Sequence, residues 1–432
     1  MIYFALLIFW VVVTVLFWRQ ADRRARRFGG AVGAVARLFF LLFFLPLVAY
    51  MAIPLTRPLL VDEPFVGPTV WLTFAYIWFP FLLQLLLAAV ATKWLWCRAK
   101  SVVARRSKRA AETQPSGDVA PLEDTLSRRG AMALAASFAG PLAAIACTGA
   151  AVRQYGRFGV RRVELSLASL PADLDGVTIA HVTDVHAGQF FDTDAAARLA
   201  DMVNGLNADL VAFTGDLLDR GLLSRLPIGM RFLERLDRRH GFAFIEGNHD
   251  VHEDALAFEK AMLDAGVPLL MDQERTYAIP GRSTAVQFLG VSWGPLKYDD
   301  DDDTSIDPPN PRKPGRAWSD AWAASSTAAV AAMRRPGAFP ILLAHHPHTI
   351  APASALNLPL TLAGHTHGGQ LMLTDNIGAG PVRFKYWTGE HLVGNSKLMI
   401  CNGVGSWFPL RFNAPAEVLH LTLRRGDGVQ GR

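Results

Sequence analysis

The chain has 432 residues, enough for two or three domains, and 51% of them are hydrophobic. Its formal net charge of +5 is divided unevenly: residues 1–162 carry +13, from 20 basic and 7 acidic residues, and the remainder carries −8, from 23 and 31. Because the acidic part would repel a polyanion, this composition argues against a nucleic-acid-binding protein.

The N-terminal part contains apolar segments of the length that crosses a bilayer. The segments 1–18, 38–56 and 64–92 contain no Lys, Arg, Asp or Glu, and a transmembrane helix needs roughly 17–25 residues. We therefore predict an all-α transmembrane region with three helices within residues 1–97. Residues 130–152, also uncharged but rich in Ala and Gly, are predicted to be a fourth transmembrane helix or an export-signal-like helix. A buried core helix is the alternative for each segment.

Basic residues beside these segments indicate how the chain crosses the membrane. Residues 19–30 carry five arginines and residues 93–129 are strongly basic, so the positive-inside rule places both in the cytoplasm. Residues 98–129 are then a polar cytoplasmic linker. Its end, Ser127-Arg128-Arg129, resembles a twin-arginine export signal. A fourth crossing would place the remainder outside the cytoplasm, although four arginines that follow it oppose this orientation: Arg153, Arg157, Arg161 and Arg162.

Patterns typical of strands and of helices alternate from residue 163 to residue 425. Nine short apolar runs indicate strands, and residues 193–206, 225–237 and 254–265 indicate helices. This alternation predicts an α/β domain in which helices cover the faces of sheets. The run of five aspartates, Asp299 to Asp303, is expected to be a solvated loop, with a second metal site as the alternative.

Five short polar clusters each follow one of these strands. They are Asp184-Val185-His186, Gly215-Asp216, Gly247-Asn248-His249-Asp250, His345-His346-Pro347 and Gly364-His365-Thr366-His367. Ligands of open α/β sheets collect at the carboxyl ends of strands, so we expect the clusters to converge. Their carboxylate, amide and imidazole groups suit Mn, Fe or Zn. Two such ions about 3.5–4 Å apart can clamp a phosphoryl group for in-line displacement.

The order of these motifs, D-x-H, G-D, G-N-H-D, H and G-H-T-H, resembles that of the calcineurin-like metallophosphoesterases over roughly residues 170–425. Each motif alone is weak, but five in order are specific. The sequence GHTHGGQ at 364–370 and the pattern of Gly, Pro, Arg and Glu over 403–417 are similar to the bacterial membrane-associated branch of that family. The resemblance implies a layered β-sandwich flanked by helices, the calcineurin-like phosphoesterase fold, over residues 163–425.

The resemblance also implies a role for each residue of the motifs. One metal ion would be held by Asp184, His186 and His367, the other by Asn248, His345 and His365, and Asp216 would bridge both. His249 would be the catalytic histidine, and Asp250 would orient it. His346 and His348 are expected to be rim or surface residues. Arg411 is expected to pair with Glu417 or to reach a substrate phosphate.

Together these features predict a membrane-anchored phosphoesterase with two divalent metal ions. It would hydrolyse a phosphodiester, phosphomonoester or pyrophosphate by attack of a metal-bridging hydroxide. Its predicted location is the bacterial inner membrane, multi-pass, with a periplasmic catalytic domain, and the anchor favours a lipid-linked substrate. One alternative is a cytoplasmic lipid enzyme similar to a UDP-2,3-diacylglucosamine pyrophosphohydrolase. Another is a transporter with a metal-binding regulatory domain, which the absence of charged residues from the first three predicted spans disfavours.

Overall fold

The computed structural model describes residues 2–56, 73–74, 77–78, 98, 128–188, 190–219, 223–237, 241–252, 254–297, 315–316 and 318–426. The chain divides into two compact units, Met1–Val152 and Arg153–Arg432. Three predicted features lie wholly or largely outside the described residues: the third span at 64–92, the linker at 98–129 and the aspartate run at 299–303.

The described part of the first unit is helical. Its long helices are α1 (Ile2–Arg26), α2 (Gly30–Thr56) and α3 (Arg128–Gln154). Aromatic rings pack on α2, where the ring centroids of Phe43 and Trp78 are 5.0 Å apart. The guanidinium of Arg24 donates a hydrogen bond to Oγ of Ser137 at 2.8 Å, which connects α1 to α3.

One helical stretch among the described residues, Gly130–Gln154, is long and apolar enough to cross a membrane, and a shorter apolar stretch covers Gly30–Leu45. A single stretch of this kind is weak evidence for a span, because core helices and signal sequences share its length and composition. The first two predicted spans, 1–18 and 38–56, fall on helices α1 and α2. The four-span topology stays a prediction.

The second unit is an α/β domain. Its strands are β1 (Gly159–Leu167), β2 (Thr178–Val182), β3 (Leu210–Thr214), β4 (Phe242–Ile245), β5 (Gln273–Tyr277), β6 (Ala285–Gly290), β7 (Leu296–Lys297), β8 (Gly315–Arg316), β9 (Ala338–Leu343), β10 (Leu360–Ala363), β11 (Met372–Thr374), β12 (Ile377–Gly378), β13 (Gly389–Val393), β14 (Ser396–Ile400) and β15 (Glu417–Arg425). Its helices are α4 (Thr193–Gly205), α5 (Leu226–Arg235), α6 (Ala255–Asp264), α7 (Asp320–Ala332), α8 (Ile350–Ala355) and α9 (Ala379–Arg383).

The strands form two main sheets. The first has the order β1-β15-β2-β3-β4, and the second has the order β13-β14-β10-β9-β6-β5. Strands β2, β3 and β4 are mutually parallel, as are β14, β10, β9 and β6. Two short antiparallel pairs, β11-β12 and β7-β8, stand apart from the main sheets.

The two sheets pack face to face and helices cover their outer faces. Side chains of successive strand residues point to opposite faces. On β2, Ile179 therefore joins the apolar core between the sheets, to which Leu360 of β10 also belongs, and Ala180 joins the core beneath α4, α5 and α6. A third core lies between the second sheet and helices α7 and α8. A fully buried Leu or Ile contributes about 1.5–3 kcal/mol, so these layers fix the sheets relative to each other.

This architecture is the layered β-sandwich flanked by helices that the sequence predicts. All nine predicted strands and all three predicted helices of this unit form, within one to four residues of their expected limits. The parallel strands β2, β3, β4, β9 and β10 end at Val182, Thr214, Ile245, Leu343 and Ala363. Each of the five polar clusters begins within two residues of one of these ends.

Candidate metal centre

The first group of candidate ligands consists of Asp184, His186 and His367, all buried. Their ligand atoms lie within 4.8 Å of one another. Nε2 of His367 is 3.2 Å from Oδ1 of Asp184 and 2.9 Å from Nε2 of His186. Two imidazole nitrogens and a carboxylate oxygen therefore face one point, which is the arrangement of ligands around a cation.

The second group lies beside the first and consists of Asp216, His345, His365 and Asn248. The ligand atoms of the first three again lie within 4.8 Å of one another. Nδ1 of His365 is 2.8 Å from Oδ1 of Asn248. Nδ1 of His345 is 2.6 Å from the carbonyl oxygen of Thr214, to which it donates, so Nε2 of the same ring is directed at Oδ2 of Asp216, 3.1 Å away. A carbonyl that accepts from one nitrogen orients the other nitrogen of an imidazole toward a metal.

Asp216 faces both groups. Its Oδ2 is 3.5 Å from Nε2 of His186 in the first group and 3.1 Å from Nε2 of His345 in the second. Its other oxygen, Oδ1, accepts a hydrogen bond from the backbone N–H of His249 at 2.8 Å. A carboxylate in this position can bridge two cations.

The backbone is strained at most of these residues. A left-handed conformation in a residue other than glycine costs of order 1–3 kcal/mol and is concentrated at functional sites. Five of the seven predicted metal ligands adopt it, with φ of 52° at Asp184, 47° at His186, 58° at Asp216, 71° at His365 and 52° at His367. The packed ends of the strands hold these residues in conformations that turn their side chains toward the same point.

Two glycines allow the clusters to approach one another. A Cβ atom at Gly247 would lie 2.2 Å from Oδ1 of Asp216, and one at Gly364 would lie 2.3 Å from Oδ2 of Asp184. Any side chain at either position would displace a carboxylate. Glycine precedes Asn248 and His365 in the sequence motifs for this reason.

The carboxylates of the centre are ionised at neutral pH. Burial opposes their charge, but the neighbouring His367 and His186 lower the pKa of Asp184 below its usual range. Burial likewise opposes the charge of Asp216, and His345 and His249 lower the pKa of that carboxyl well below its usual value. Two buried anions at the junction of the two ligand groups create a strong preference for positive charge.

The neighbouring carboxylates raise the pKa of two imidazoles of the centre. Burial disfavours their charged form, but hydrogen bonds to Asp184 and Asp219 raise the pKa of His186 to about 10. Asp216 outweighs burial at His345 in the same way and raises its pKa to about 9. The residues therefore attract a cation at both positions, and an oxygen and nitrogen donor set of this kind fits a divalent transition metal in each.

Asp219 is a residue of the site that the sequence motifs did not single out. Its Oδ1 lies 3.3 Å from Nδ1 of His249 and 3.7 Å from Nδ1 of His186. Burial opposes its charge, but His186 and His249 lower the pKa of Asp219 below its usual range. Its position, three residues after Asp216 in the loop that follows β3, is the one signal in the sequence, and it does not show which way the side chain turns.

Asp250 does not occupy the place predicted for it. Its Oδ1 accepts from the backbone N–H of Leu218 at 2.8 Å and its Oδ2 from that of Gly247 at 3.0 Å. Burial and the charge of Asp216 raise the pKa of Asp250 to about 7. Asp250 thus connects the loops after β3 and β4, and the carboxylate beside the His249 ring is Asp219.

His346 lies at the edge of the centre. Its ring stacks on Trp318 with the centroids 4.0 Å apart, and its Nδ1 accepts from the backbone N–H of His348 at 3.2 Å. Burial, reinforced by the positive potential of His365, lowers the pKa of His346. His345, the preceding residue, is the one that faces Asp216.

Arg411 does not form the ion pair that was predicted with Glu417. The carboxylate of Glu417 instead accepts two hydrogen bonds from Arg161, at 2.7 and 2.8 Å. The buried guanidinium of Arg411 donates from Nη2 to Nδ1 of His367 at 2.9 Å and to the carbonyl oxygens of Asn402 and Gly405. Its Nη1 also donates to the backbone carbonyl of His367 at 3.3 Å, so Arg411 holds the backbone of this candidate ligand in place.

A cavity of about 290 Å³ opens onto the ligands. Its polar wall includes Asp216, Asn248, His249, His365 and His367, and its apolar wall includes Leu371, Phe384, Trp407 and Phe408, with Arg383 among them. A larger cavity of about 550 Å³ lies between residues 154–159 and 404–416 but is lined by none of the candidate ligands. We therefore assign the smaller cavity to the substrate.

Known proteins resemble this chain in the same region. Residues 177–369 match the model of the calcineurin-like phosphoesterase family. A transmembrane protein with metallophosphoesterase domain from Danio rerio is 26% identical over 268 residues, which are 61% of this chain and 56% of that protein. The uncharacterized metallophosphoesterase YkuE of Bacillus subtilis is 26% identical over 66% of this chain and 94% of its own length.

One solved structure similar to this chain is that of a dimetal phosphatase from Danio rerio. It covers 53% of this chain and 88% of its own, with 9% sequence identity and a TM-score of 0.34. The resemblance depends instead on the family model, whose matched residues include the two ligand groups described above, and on the curated relatives. Residues 177–369 therefore match the calcineurin-like phosphoesterase family, and the chain is similar to the metallophosphoesterases that share this domain.

Proposed function

We propose that the chain is a membrane-anchored hydrolase that cleaves a phosphate ester with the help of two divalent metal ions. The observation that carries this proposal is the position of Asp216, whose Oδ2 faces His186 and His345 at 3.5 and 3.1 Å. One carboxylate between two sets of buried ligands is what a dinuclear centre requires. Mn, Fe and Zn all suit these donors.

The metal ligands, His249 and Asp219 would have different roles in the reaction. When bound, the metal ions supply Lewis acidity and an activated water for attack on phosphorus. His249 lines the same cavity, which supports a role for its imidazole beside the phosphate. Nδ1 of His249 faces the Asp219 carboxylate at 3.3 Å, and we propose that Nε2 protonates the leaving oxygen. Asp219 would position the ring.

The cavity supports an ester substrate with an apolar portion. Its polar wall is the metal centre, and Arg383 offers a cation for a phosphate oxygen. Its other wall carries the side chains of Leu371, Phe384, Trp407 and Phe408. We infer a substrate that places its phosphate at the metal ligands and an apolar group against this second wall.

The membrane anchor follows from the apolar segments of the first unit. The stretch Gly130–Gln154 and the name of the Danio rerio relative support at least one span. We propose that the catalytic unit lies outside the cytoplasm of a bacterial cell, in accordance with the distribution of basic residues. In the opposite orientation, the chain would be a cytoplasmic lipid pyrophosphohydrolase. A reporter fused after residue 160 separates the two, because alkaline phosphatase is active only outside the cytoplasm and green fluorescent protein fluoresces only inside.

Hydrolysis by the purified full chain tests the reaction. We expect Mn²⁺-loaded protein to hydrolyse p-nitrophenyl phosphate or bis-p-nitrophenyl phosphate, and a chelator to abolish this. Asp216→Ala should lose both the bound metal and the turnover. The matched control is Asp201→Ala, at an exposed aspartate paired with Arg235 on the surface of the domain. Turnover that survives complete metal removal would disprove the proposal.

A further inference from the structure

Large apolar side chains are exposed around one part of the second unit. Among the described residues after position 152, nine large hydrophobic side chains are exposed, and six of them lie between residues 373 and 412. One of the six, Leu392, lies on β13 of the second sheet. We call the other five the mouth rim: Leu373, Ile377, Val382, Trp407 and Phe412. Their exposed fractions range from 43% at Trp407 to 89% at Val382. A concentration of this kind marks an interaction surface, whereas scattered exposed side chains do not.

The rim is one continuous surface. The β11-β12 hairpin carries Leu373 and Ile377, and it is fixed to the segment that carries Phe412. The backbone N–H of Met372 donates to the carbonyl of Phe412 at 2.9 Å, and the side chain of Asn413 donates to the carbonyl of Leu373 at 3.2 Å. Helix α9, with Val382, follows the hairpin directly.

This surface adjoins the cavity that holds the metal ligands. Trp407 belongs both to the rim and to the cavity wall. Arg383, which also lines the cavity, is adjacent in sequence to Val382. The apolar surface and the catalytic groups are therefore continuous, so whatever covers the rim lies directly against the path of the substrate.

The charges beside the rim favour an anionic surface. Arg383 and Lys385 are exposed, and their cationic groups lie 5.9 Å and 5.1 Å from the ring centroids of Phe384 and Tyr386. Asp375, in the turn of the hairpin, is the one carboxylate among residues 371–388. Aromatic and aliphatic side chains next to Lys and Arg are typical of segments that lie in the headgroup region of a bilayer.

The same region contacts the first residues of the second unit. Gln154 exchanges two hydrogen bonds with the backbone of Arg411, at 2.9 and 3.0 Å. Arg411 immediately precedes Phe412 of the rim. A protein that covered the rim would close the cavity, whereas a bilayer would deliver its own phosphate groups to it.

We propose that the mouth rim docks on an anionic bilayer and that the substrate is a lipid phosphate ester. Its phosphate would reach the metal ligands while its acyl chains stay against the rim. This inference depends on the proposed phosphoesterase activity only for its second half, because the docking of the rim can be measured without turnover.

The first experiment compares lipid and water-soluble esters with the full chain in mixed micelles. The substrates are phosphatidic acid, phosphatidylglycerol, glycerol phosphate and p-nitrophenyl phosphate. In the double variant Ile377→Asp with Val382→Asp, we expect the rate on the lipid to fall at least about tenfold, because carboxylates resist entry into the bilayer. The rate on p-nitrophenyl phosphate should not change. The matched control is Leu392→Asp, at an exposed leucine of β13.

Equal losses on both kinds of substrate would overturn the inference, as would a wild-type enzyme that cleaves the soluble esters but not the lipids. A wild-type protein that cleaves neither would instead contradict the proposed function. The second experiment then decides the docking.

The second experiment places a fluorophore at position 377 in the full chain reconstituted into vesicles with an anionic lipid. The variant is Ile377→Cys, the control is Leu392→Cys, and Cys97 and Cys147 are replaced by Ser, while Cys401 is buried. A nitroxide-labelled lipid should quench most of the fluorescence at 377 and little at 392. Equal quenching at the two positions would overturn the docking.

Discussion

Oδ1 of Asp219 lies between two imidazoles, 3.3 Å from Nδ1 of His249 and 3.7 Å from Nδ1 of His186. One carboxylate oxygen thus contacts both the histidine that we assign to proton transfer and a candidate metal ligand. The position of the His249 ring is therefore coupled to that of the metal centre. Asp250, although adjacent to His249 in sequence, uses both oxygens to bind backbone N–H groups.

The contrast between these two carboxylates gives the first prediction. Asp219→Asn should reduce turnover about 10- to 100-fold, the usual effect of removing a residue that orients a ligand or catalytic imidazole. Metal content, measured by elemental analysis, should stay near the wild-type value, because the ligands themselves remain.

Asp250→Asn is the matched control. An amide can accept only one of the two backbone hydrogen bonds, so the variant should lose about 1–3 kcal/mol of stability toward unfolding. The opposite result would show that Asp250 orients His249. In that case Asp250→Asn would unfold like the wild type but turn over much more slowly, and Asp219→Asn would show no loss of rate.

The second prediction concerns His249 itself. His249→Asn should lower the maximal rate about 10²- to 10⁴-fold, the range that a positioned acid contributes. The loss should be smaller for p-nitrophenyl phosphate than for an alkyl phosphate, because the p-nitrophenolate leaving group needs little protonation. Bound metal should persist. Loss of metal from His249→Asn would show that the residue is a ligand instead.

Much of the fold and the ligand set can be predicted from the sequence because both depend on local patterns. Each ligand cluster directly follows a short apolar run, and parallel strands bring their carboxyl ends together. Strand β5 was not predicted because it lies at a sheet edge and its sequence is polar, Gln273-Glu274-Arg275-Thr276-Tyr277. Helix α7 was missed because its alanines provide no helical period of large apolar residues.

The pairing of side chains between loops could not be predicted in this way. Asp219 and Asp250 both lie in loops after neighbouring strands, and their spacing does not show which one turns toward the ring. The partner of Arg411 could not be predicted for the same reason, because it also depends on which side chains face each other in the folded chain. Glu417 is close to it in sequence, but the register of β1 with β15 pairs Glu417 with Gly159, and Arg161, two residues further along β1, reaches its carboxylate.

The third prediction concerns Arg411, whose guanidinium contacts the ring and the backbone carbonyl of His367. Arg411→Lys should weaken metal binding about 10- to 100-fold, because lysine cannot reproduce the planar fork that contacts His367 and several carbonyls. It should also destabilise the domain by a few kcal/mol, since buried acceptors lose their donors. Competition of a chelating dye for the bound metal measures the affinity.

Arg161→Lys separates the two effects of Arg411→Lys. Arg161 binds Glu417 with two hydrogen bonds but contacts none of the candidate ligands. We expect Arg161→Lys to lower stability without changing the affinity for metal. If both variants weaken metal binding equally, the effect of Arg411 is a general consequence of destabilisation.

The last prediction uses the buried His181 of β2, whose Nε2 is 2.8 Å from the hydroxyl of Thr214. Burial, to which Arg161 adds while Asp184 opposes, lowers the pKa of His181 to about 3, whereas an unfolded histidine titrates near about 6.5. Below pH 6.5 the unfolded chain therefore binds a proton that the folded chain does not, and stability falls as the pH falls toward 3. At pH 5 the loss amounts to about 2 kcal/mol relative to pH 8.

His181→Gln should remove this contribution, so in denaturant titrations of chelated protein at pH 8 and pH 5 the wild type should lose about 2 kcal/mol more than the variant. Equal losses in the two proteins would show that His181 is protonated in the folded state, which a ring so completely enclosed by apolar neighbours and Thr214 does not favour.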